Sequence, residues 1–289
     1  MDFLNKNEWS KNSSEIYVAN NIKTETAYTD DMHNDMQKIE NESWWFIYRA
    51  DVIKTLMEKF FKKDRLTVDV GGGNGFTSSV AQKNGFNIGI IEPTFDACKN
   101  AQKKGIEKIA CGAITKTSVI DESIDQIILL DVLEHIENDR EFLNLLYKKL
   151  SKNGLIMITV PAFMCLWSSE DVAIGHFRRY RIKSLCKLME ECGFHIHYQS
   201  YFMSFLFFPI LFIRVFLEKL GVLKKYELRT KEEKEKIVQS QFNYPKGIVK
   251  IVLEAFEKLE QLLMQKSKRI PFGSSILIIA KKKNPSVPD

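Results

Sequence analysis

Four glycines in five positions, Gly71, Gly72, Gly73 and Gly75, follow Asp69 in the stretch DVGGGNG. The residues before them, LTVDV at 66–70, read as a strand, and GFTSSVAQKNG after them has helical spacing and ends on glycine. A strand, a glycine turn and a helix in that order set backbone N–H groups and a helix N-terminus beside a ligand. Only glycine lets a ligand come so close to the chain. A nucleotide-like cofactor is the expected occupant, set against the plainer alternative of a tight turn. The next strand, NIGII at 87–91, runs into Glu92, where a carboxylate can accept both hydroxyls of a ribose. NAD and S-adenosylmethionine both carry that ribose, so Glu92 does not choose between them. The dinucleotide pattern G-x-G-x-x-G, begun at Gly71 and Gly73, needs a small residue where Phe76 stands.

These residues need a frame. From about Arg65 to Val160, β-branched runs alternate with amphipathic segments, with further strands at 125–130 (DQIILL) and 155–160 (LIMITV) and a weaker one ending near Cys111. That alternation predicts a doubly wound α/β domain. Before it, residues 1–40 read as polar and irregular, and SWWFIYRADVIKTLMEKFFKK reads as a helix. After it come a helix near 182–192, a strand near 194–202, the apolar run FMSFLFFPILFIRVFLEKLG at 202–221 and a charged connector at 224–236. A second amphipathic helix, with Ile248, Val252, Ala255, Leu259 and Leu262 on one face, precedes a last strand at 274–280. The expected division is an N-terminal extension at 1–64, a core at 65–202, a helical insertion at 203–272 and a last core strand with a basic tail at 273–289.

Composition narrows the function. With 289 residues, 45% hydrophobic and 27% charged, the chain can bury a sizeable core. A net charge of +5 is too mild to imply nucleic acid. The five cysteines, Cys98, Cys111, Cys165, Cys186 and Cys192, lack metal or disulfide spacing and read as reduced thiols. The first ten residues, MDFLNKNEWS, lack the basic start and apolar run of a secretory signal, so a cytoplasmic location is expected. Pro209 and Arg214 interrupt the apolar run, which disfavours a membrane span. Two alternatives stay open: packing against the sheet, or a shelf formed with the 246–264 helix that rests on the inner face of a membrane.

Residues 65–160 resemble the class I S-adenosylmethionine-dependent methyltransferases. The resemblance lies in DVGGGNG, IIEP with Glu92, CGAI at 111–114, SIDQIILLDVLEHI at 123–136 and LSKNGLIMITVP at 150–161. It implies S-adenosylmethionine as cofactor and a seven-stranded Rossmann-like sheet whose last strand runs antiparallel; the simplest such cores join the last two strands in a close hairpin, so the residues between 202 and 274 read as a helical insertion. It further implies that Asp69, Gly71, Gly73 and Gly75 hold the methionine moiety, that Glu92 holds the ribose, and that Ala113 and Ile114 flank the adenine. Many relatives have an acid where this chain has Ala113, so adenine would rest on backbone and packing. A narrower resemblance is carried by WWFIYR at 44–49, DVLEHIENDREFL at 131–143, VPAFMCLWSSEDVAIGHFRRYR at 160–181 and PFGSSILIIAKK at 271–282. It is to a bacterial group similar to the ubiquinone-pathway O-methyltransferases, associated with glycan, lipid or quinone-like acceptors.

Methyl transfer from a sulfonium is a direct displacement, so the protein mainly aligns the acceptor and excludes water. A base is needed only for an acidic acceptor such as a hydroxyl. His176, in GHFRRYR beyond the fifth strand, is the candidate base; a structural histidine tying down that loop is the alternative. Asp131, Glu134 and His135 form D-x-x-E-H, which on a helical turn would face roughly one way. A similar group in the ubiquinone O-methyltransferases binds a divalent metal, which makes these three the metal candidates. The favoured alternative sets Asp131 on the cofactor side and uses Glu134 and His135 to anchor the next helix. Arg178 and Arg179, with Arg181 and Lys183 nearby, suit a phosphate-bearing acceptor or internal ion pairs. Trp45, Arg49 and Trp167 are expected to line the acceptor pocket, with core packing the alternative for Trp45. The residues together point to O-methylation of a glycan, lipid-linked or quinone-like acceptor. A cofactor-binding sensor or scaffold is the alternative, and an NAD-dependent oxidoreductase the third choice.

Overall fold

The computed structural model describes residues 1–20, 30–213, 220 and 246–283; the 224–236 connector lies outside them. Two three-residue strands, β1 (Trp9–Lys11) and β2 (Tyr17–Ala19), precede α1 (Asp30–Glu40) and α2 (Trp44–Phe60). Then β3 (Thr67–Val70), α3 (Phe76–Lys83), β4 (Ile88–Glu92), α4 (Phe95–Lys103), β5 (Ile109–Cys111) and β6 (Ile124–Leu130) alternate as predicted. A single 3-10 turn at Leu133–His135 leads to α5 (Asp139–Lys149) and β7 (Leu150–Pro161). The short α6 (Ser169–Ala173), α7 (Ile182–Glu191), β8 (Phe194–Phe202), α8 (Ser204–Leu211), α9 (Ile248–Gln265) and β9 (Ser275–Lys282) follow.

The strands form one sheet in the order β1-β2-β5-β4-β3-β6-β7-β9-β8. From β5 to β7 neighbours are parallel, and β9 runs antiparallel between β7 and β8. The seven predicted strands are all present with the predicted reversal. The sheet nevertheless has nine, because β1 and β2 extend it beyond β5, so residues 1–40 are not irregular throughout. Strands of three residues are too short to show alternation. These two gain their place from pairing, Tyr17 with Ala110 and Val18 with Cys111, and from a close fit at Gly112, where a Cβ would lie 2.7 Å from Ala19 and 2.8 Å from Trp9.

Both faces of the parallel strands are covered, which is why β3 and β4 are buried at every position. Val68, Val70, Ile127 and Leu129 meet Leu143, Leu146 and Leu185 on one side. Ile90, Ile128 and Met157 meet Ile53, Leu56 and Cys98 on the other. Among the cysteines Cys165 alone is exposed, and all five are free thiols.

Helix α9 is oriented against its composition. Its predicted apolar stripe faces out, while Glu257, Glu260 and Met264 are buried. The reason is a demand for acceptors. Glu260 takes the Tyr48 hydroxyl, the Met203 N–H at 2.9 Å and the Ser204 N–H at 2.7 Å, so it caps α8, whose first amides have no partner within the helix. Glu257 has no such role: its Oε1 is buried without a hydrogen bond. Burial, helped by Glu254, Asp51 and Glu260, pushes its carboxyl up to about 7. A carboxyl held more tightly protonated in the folded state supports folding below its ordinary value of 4.5 and loses that support as pH rises through about 7. Glu257→Gln is therefore expected to raise stability by ~1–2 kcal/mol at alkaline pH and to change it little near its ordinary carboxyl value. Urea unfolding at the two pH values checks this.

Candidate active site

The carboxyl ends of β3, β4 and β6 meet where the sheet changes its winding direction, the place where open α/β sheets hold ligands. Gly71, Gly73 and Gly75 all have left-handed φ, +75°, +52° and +73°, while Gly72 and Asn74 between them do not. The amides of all three donate within the protein, Gly71 N to Ile91 O, Gly73 N to Glu92 and Gly75 N to Gly72 O, so what the turn offers a ligand is close approach to the backbone. The three glycines differ in what requires them. A Cβ at Gly71 would lie 2.6 Å from Val132 and one at Gly75 2.8 Å from Ala101, whereas at Gly73 the nearest atom is His33 Cε1 at 3.8 Å. Protein packing fixes the outer two; the middle one faces space.

Asp69 is buried, and its Oδ2 accepts from Ser78 Oγ at 2.6 Å. Its Oδ1 is buried with no hydrogen-bond partner, and burial pushes the carboxyl up to about 6 against the pull of Ser78 and Arg49. A cationic amine is the natural partner for such an oxygen. Glu92 accepts from Gly73 N and Thr94 N, both at 2.9 Å, which leaves each carboxylate oxygen a further lone pair. Beside it, Gly112 N donates to Glu92 O at 3.0 Å, leading into half-buried Ala113 and buried Ile114. The residues predicted to hold a cofactor thus lie at the ends of the adjacent strands β5, β4 and β3, with Asp131 following β6. Asn74 turns the other way. Its Nδ2 donates to His33 O and Glu40 Oε1, and Lys104 joins Glu40 and Asn74 O, so it ties α1 to the loop. Sequence reasoning did not single it out.

Asp131 follows β6 with a left-handed φ of +55°. Its Oδ2 lies 2.7 Å from Arg49 Nη2 and its Oδ1 accepts from Thr159 at 3.0 Å. Arg49 in turn sits 5.3 Å from the centre of the Trp45 ring. Trp45 and Arg49, predicted near an acceptor, are therefore joined to the carboxyl edge through Asp131. This left-handed residue and the 3-10 turn after it replace the regular helical turn that the D-x-x-E-H spacing presumed: Asp131 engages Arg49 and Thr159, while its charge still acts on Glu134 and His135. The groups that do converge are Glu134, His135 and His176, each offering one ligand atom within 4.8 Å of the others.

His176 has a defined orientation. Its Nδ1 lies 2.8 Å from Asp171 Oδ1, which also accepts from Arg179 Nε at 2.8 Å. Asp171 Oδ2 accepts from Ser168 N at 2.9 Å in a capping box that starts α6. A carboxylate on Nδ1 places the proton there and leaves Nε2 as an acceptor. Nε2 faces Glu134 Oε1 at 3.8 Å, and the His135 ring centre is 4.6 Å from that of His176. Burial, with Asp131 adding to it, holds the Glu134 carboxyl well above its usual range, and burial with His176 nearby lowers His135 to about 4. Asp171 was not anticipated, although S-x-x-D at 168–171 is a legible capping signal. The predicted phosphate contacts Arg178 and Arg179 make ion pairs within the protein: Arg178 with Asp139 at the start of α5 at 2.7 Å, and Arg179 with Asp171 of α6. Trp167 is half-buried just before the Ser168 cap.

A family model described as a methyltransferase domain matches residues 45–199. The chain is 26% identical over 146 residues to the ubiquinone biosynthesis O-methyltransferase of Rickettsia bellii, covering 44% of this chain and 61% of that protein. It is 21% identical over 165 residues to a Mycolicibacterium smegmatis protein named as an S-adenosylmethionine-dependent methyltransferase, covering 55% and 62%. The chain thus spans about three fifths of the length of these curated relatives. Among solved structures, a chain of the complex between the Haloferax volcanii Trm112 methyltransferase activator and a methyltransferase matches with a TM-score of 0.56 at 11% identity, over 90% of this chain and 97% of that one. At that identity the likeness shows the fold. The contrast between glycines gives a test: Gly75→Ala is expected to cost ~2–4 kcal/mol through overlap and backbone strain, and Gly73→Ala only ~1–2 kcal/mol through strain. Equal losses in urea unfolding would contradict the packing described.

Proposed function

The chain belongs to the class I S-adenosylmethionine-dependent methyltransferases, and on that footing we propose that it methylates an oxygen of a hydrophobic acceptor, a lipid-linked glycan or a quinone-like phenol, with His176 as base. The observation that carries this is the buried Asp171–His176 pair, which presents Nε2 beside the carboxyl edge of the sheet. When bound, S-adenosylmethionine supplies an electrophilic methyl group on a cationic sulfur. The orphaned Asp69 Oδ1 suits its ammonium group, the glycine turn the close approach of its methionine moiety, Glu92 its ribose hydroxyls, and Ala113 and Ile114 its adenine. Asp131, paired with Arg49 at the end of β6, stands on the cofactor side of the site.

His176 Nε2 takes the proton of the acceptor hydroxyl, and Asp171 on the far side of the ring holds the imidazolium that results. Phe163, just past β7, stacks on Tyr201 at 4.8 Å and meets Phe207 of α8 at 5.4 Å, so the apolar run reaches the loop that carries His176. This contact and the R. bellii relative's printed name support a hydrophobic acceptor. The convergence of Glu134, His135 and His176 favours a second reading, in which a divalent cation there acidifies the hydroxyl as a Lewis acid.

Incubation of the protein and methyl-labelled cofactor with a cell lysate divided into lipid and aqueous fractions tests both. Label is expected in the lipid fraction; label confined to the aqueous one would overturn the hydrophobic acceptor. His176→Ala and Asp171→Asn are expected to lower kcat by ~10²-fold or more. Insensitivity to EDTA supports His176 as base, and an EDTA loss restored by divalent cation supports the metal.

A further inference from the structure

The outward face of α9 is apolar over its whole length. Ile248, Val249, Ile251, Val252, Phe256, Leu259 and Leu262 are exposed, Ile248 at 77% and Ile251 at 67%. At about 100° per residue they span an arc of about 160° along a helix of about 27 Å. The acids of this helix lie elsewhere: Glu257 and Glu260 are buried and Glu254 is half-buried. Glu260 also ties the start of α8 to α9. Exposed Phe208 of α8 meets exposed Phe272 at 5.7 Å, and Phe212 is exposed one turn further on.

Among the described residues, the fully exposed charges on this helix and just beyond its ends are basic. Lys246, Lys258, Lys266, Lys268 and Arg269 are exposed, and none has an acidic partner among the described residues. A second copy docked about a two-fold axis would bring the same cations together. An anionic surface would neutralise them. No helix among the described residues is long and apolar enough to cross a membrane, so the geometry is that of a helix lying in the plane of an interface.

We propose that the outer face of α9, with Phe208, Phe212 and Phe272, seats the protein on an anionic lipid bilayer. Apolar side chains enter the headgroup boundary while the lysines contact lipid charge. The contact needs neither cofactor nor acceptor, so it holds or fails independently of the methyl-transfer reading.

Flotation of the full chain with vesicles of phosphatidylglycerol and phosphatidylcholine in equal parts tests it, with phosphatidylcholine alone as the comparison. The protein is expected to float with the anionic vesicles at low salt, less so at high salt, and weakly with the neutral ones. The pair Phe256→Glu and Leu259→Glu, both exposed, is expected to cut binding at least ~tenfold with unchanged thermal unfolding. Absence of binding at low salt, or equal binding by the double variant, would overturn the proposal. So would a dimer in sedimentation that the variant dissociates while vesicles go unbound, which would assign the face to a second copy.

Discussion

Negative charge gathered at one edge of a sheet governs this molecule. Asp69, Glu92, Glu134 and Asp171 are buried, and Asp131 lies beside them. An unpaired buried carboxylate costs several kcal/mol, and the surrounding elements each answer part of that demand. Helix α2 brings Arg49 to Asp131, the loop after β7 brings Arg179 and His176 to Asp171, and the glycine turn offers Gly73 N to Glu92. Glu134 differs: burial raises its carboxyl's hold on a proton well above the usual range. Two buried oxygens are left over, one on Asp69 and one on Glu134, and a cofactor carrying an ammonium and a sulfonium complements this edge better than a dianionic pyrophosphate would.

The same constraint explains which parts of the site could be read from the sequence. Asp69, the glycines and Glu92 are contributed by strand ends in register, so local pattern placed them: Asp69 pairs with Ile90 and Glu92 with Cys111. The D-x-x-E-H group was harder, because one left-handed residue, Asp131, redirects the chain and no spacing rule registers that. Asp171 lies in α6 and His176 just beyond it, far in sequence from Glu134 and His135, and only the capping pattern at Ser168 hinted at the acid. Arg178 and Arg179 looked like ligand contacts for the same reason: their partners, Asp139 and Asp171, are set by tertiary structure.

The fold shows a similar division. The inner strands were legible because both-sided burial makes them apolar runs, and β8 by its alternating pattern, whereas β1 and β2 exist through pairing and the fit of Trp9 and Ala19 at Gly112. The stripe on α9 was legible as a face, but its direction was not. That direction follows from Glu260, whose two oxygens satisfy Tyr48 and the first amides of α8. Burying that acid turns the apolar side outward.

The most direct measurement of the central claim is the effect of ligands on thermal unfolding, since a ligand that binds only the folded state raises its stability. S-adenosylhomocysteine at about one hundred times its Kd is predicted to add ~2.7 kcal/mol and to raise Tm accordingly, and Glu92→Ala is predicted to remove most of that gain. Stabilisation by NAD, or none by S-adenosylhomocysteine, would contradict it.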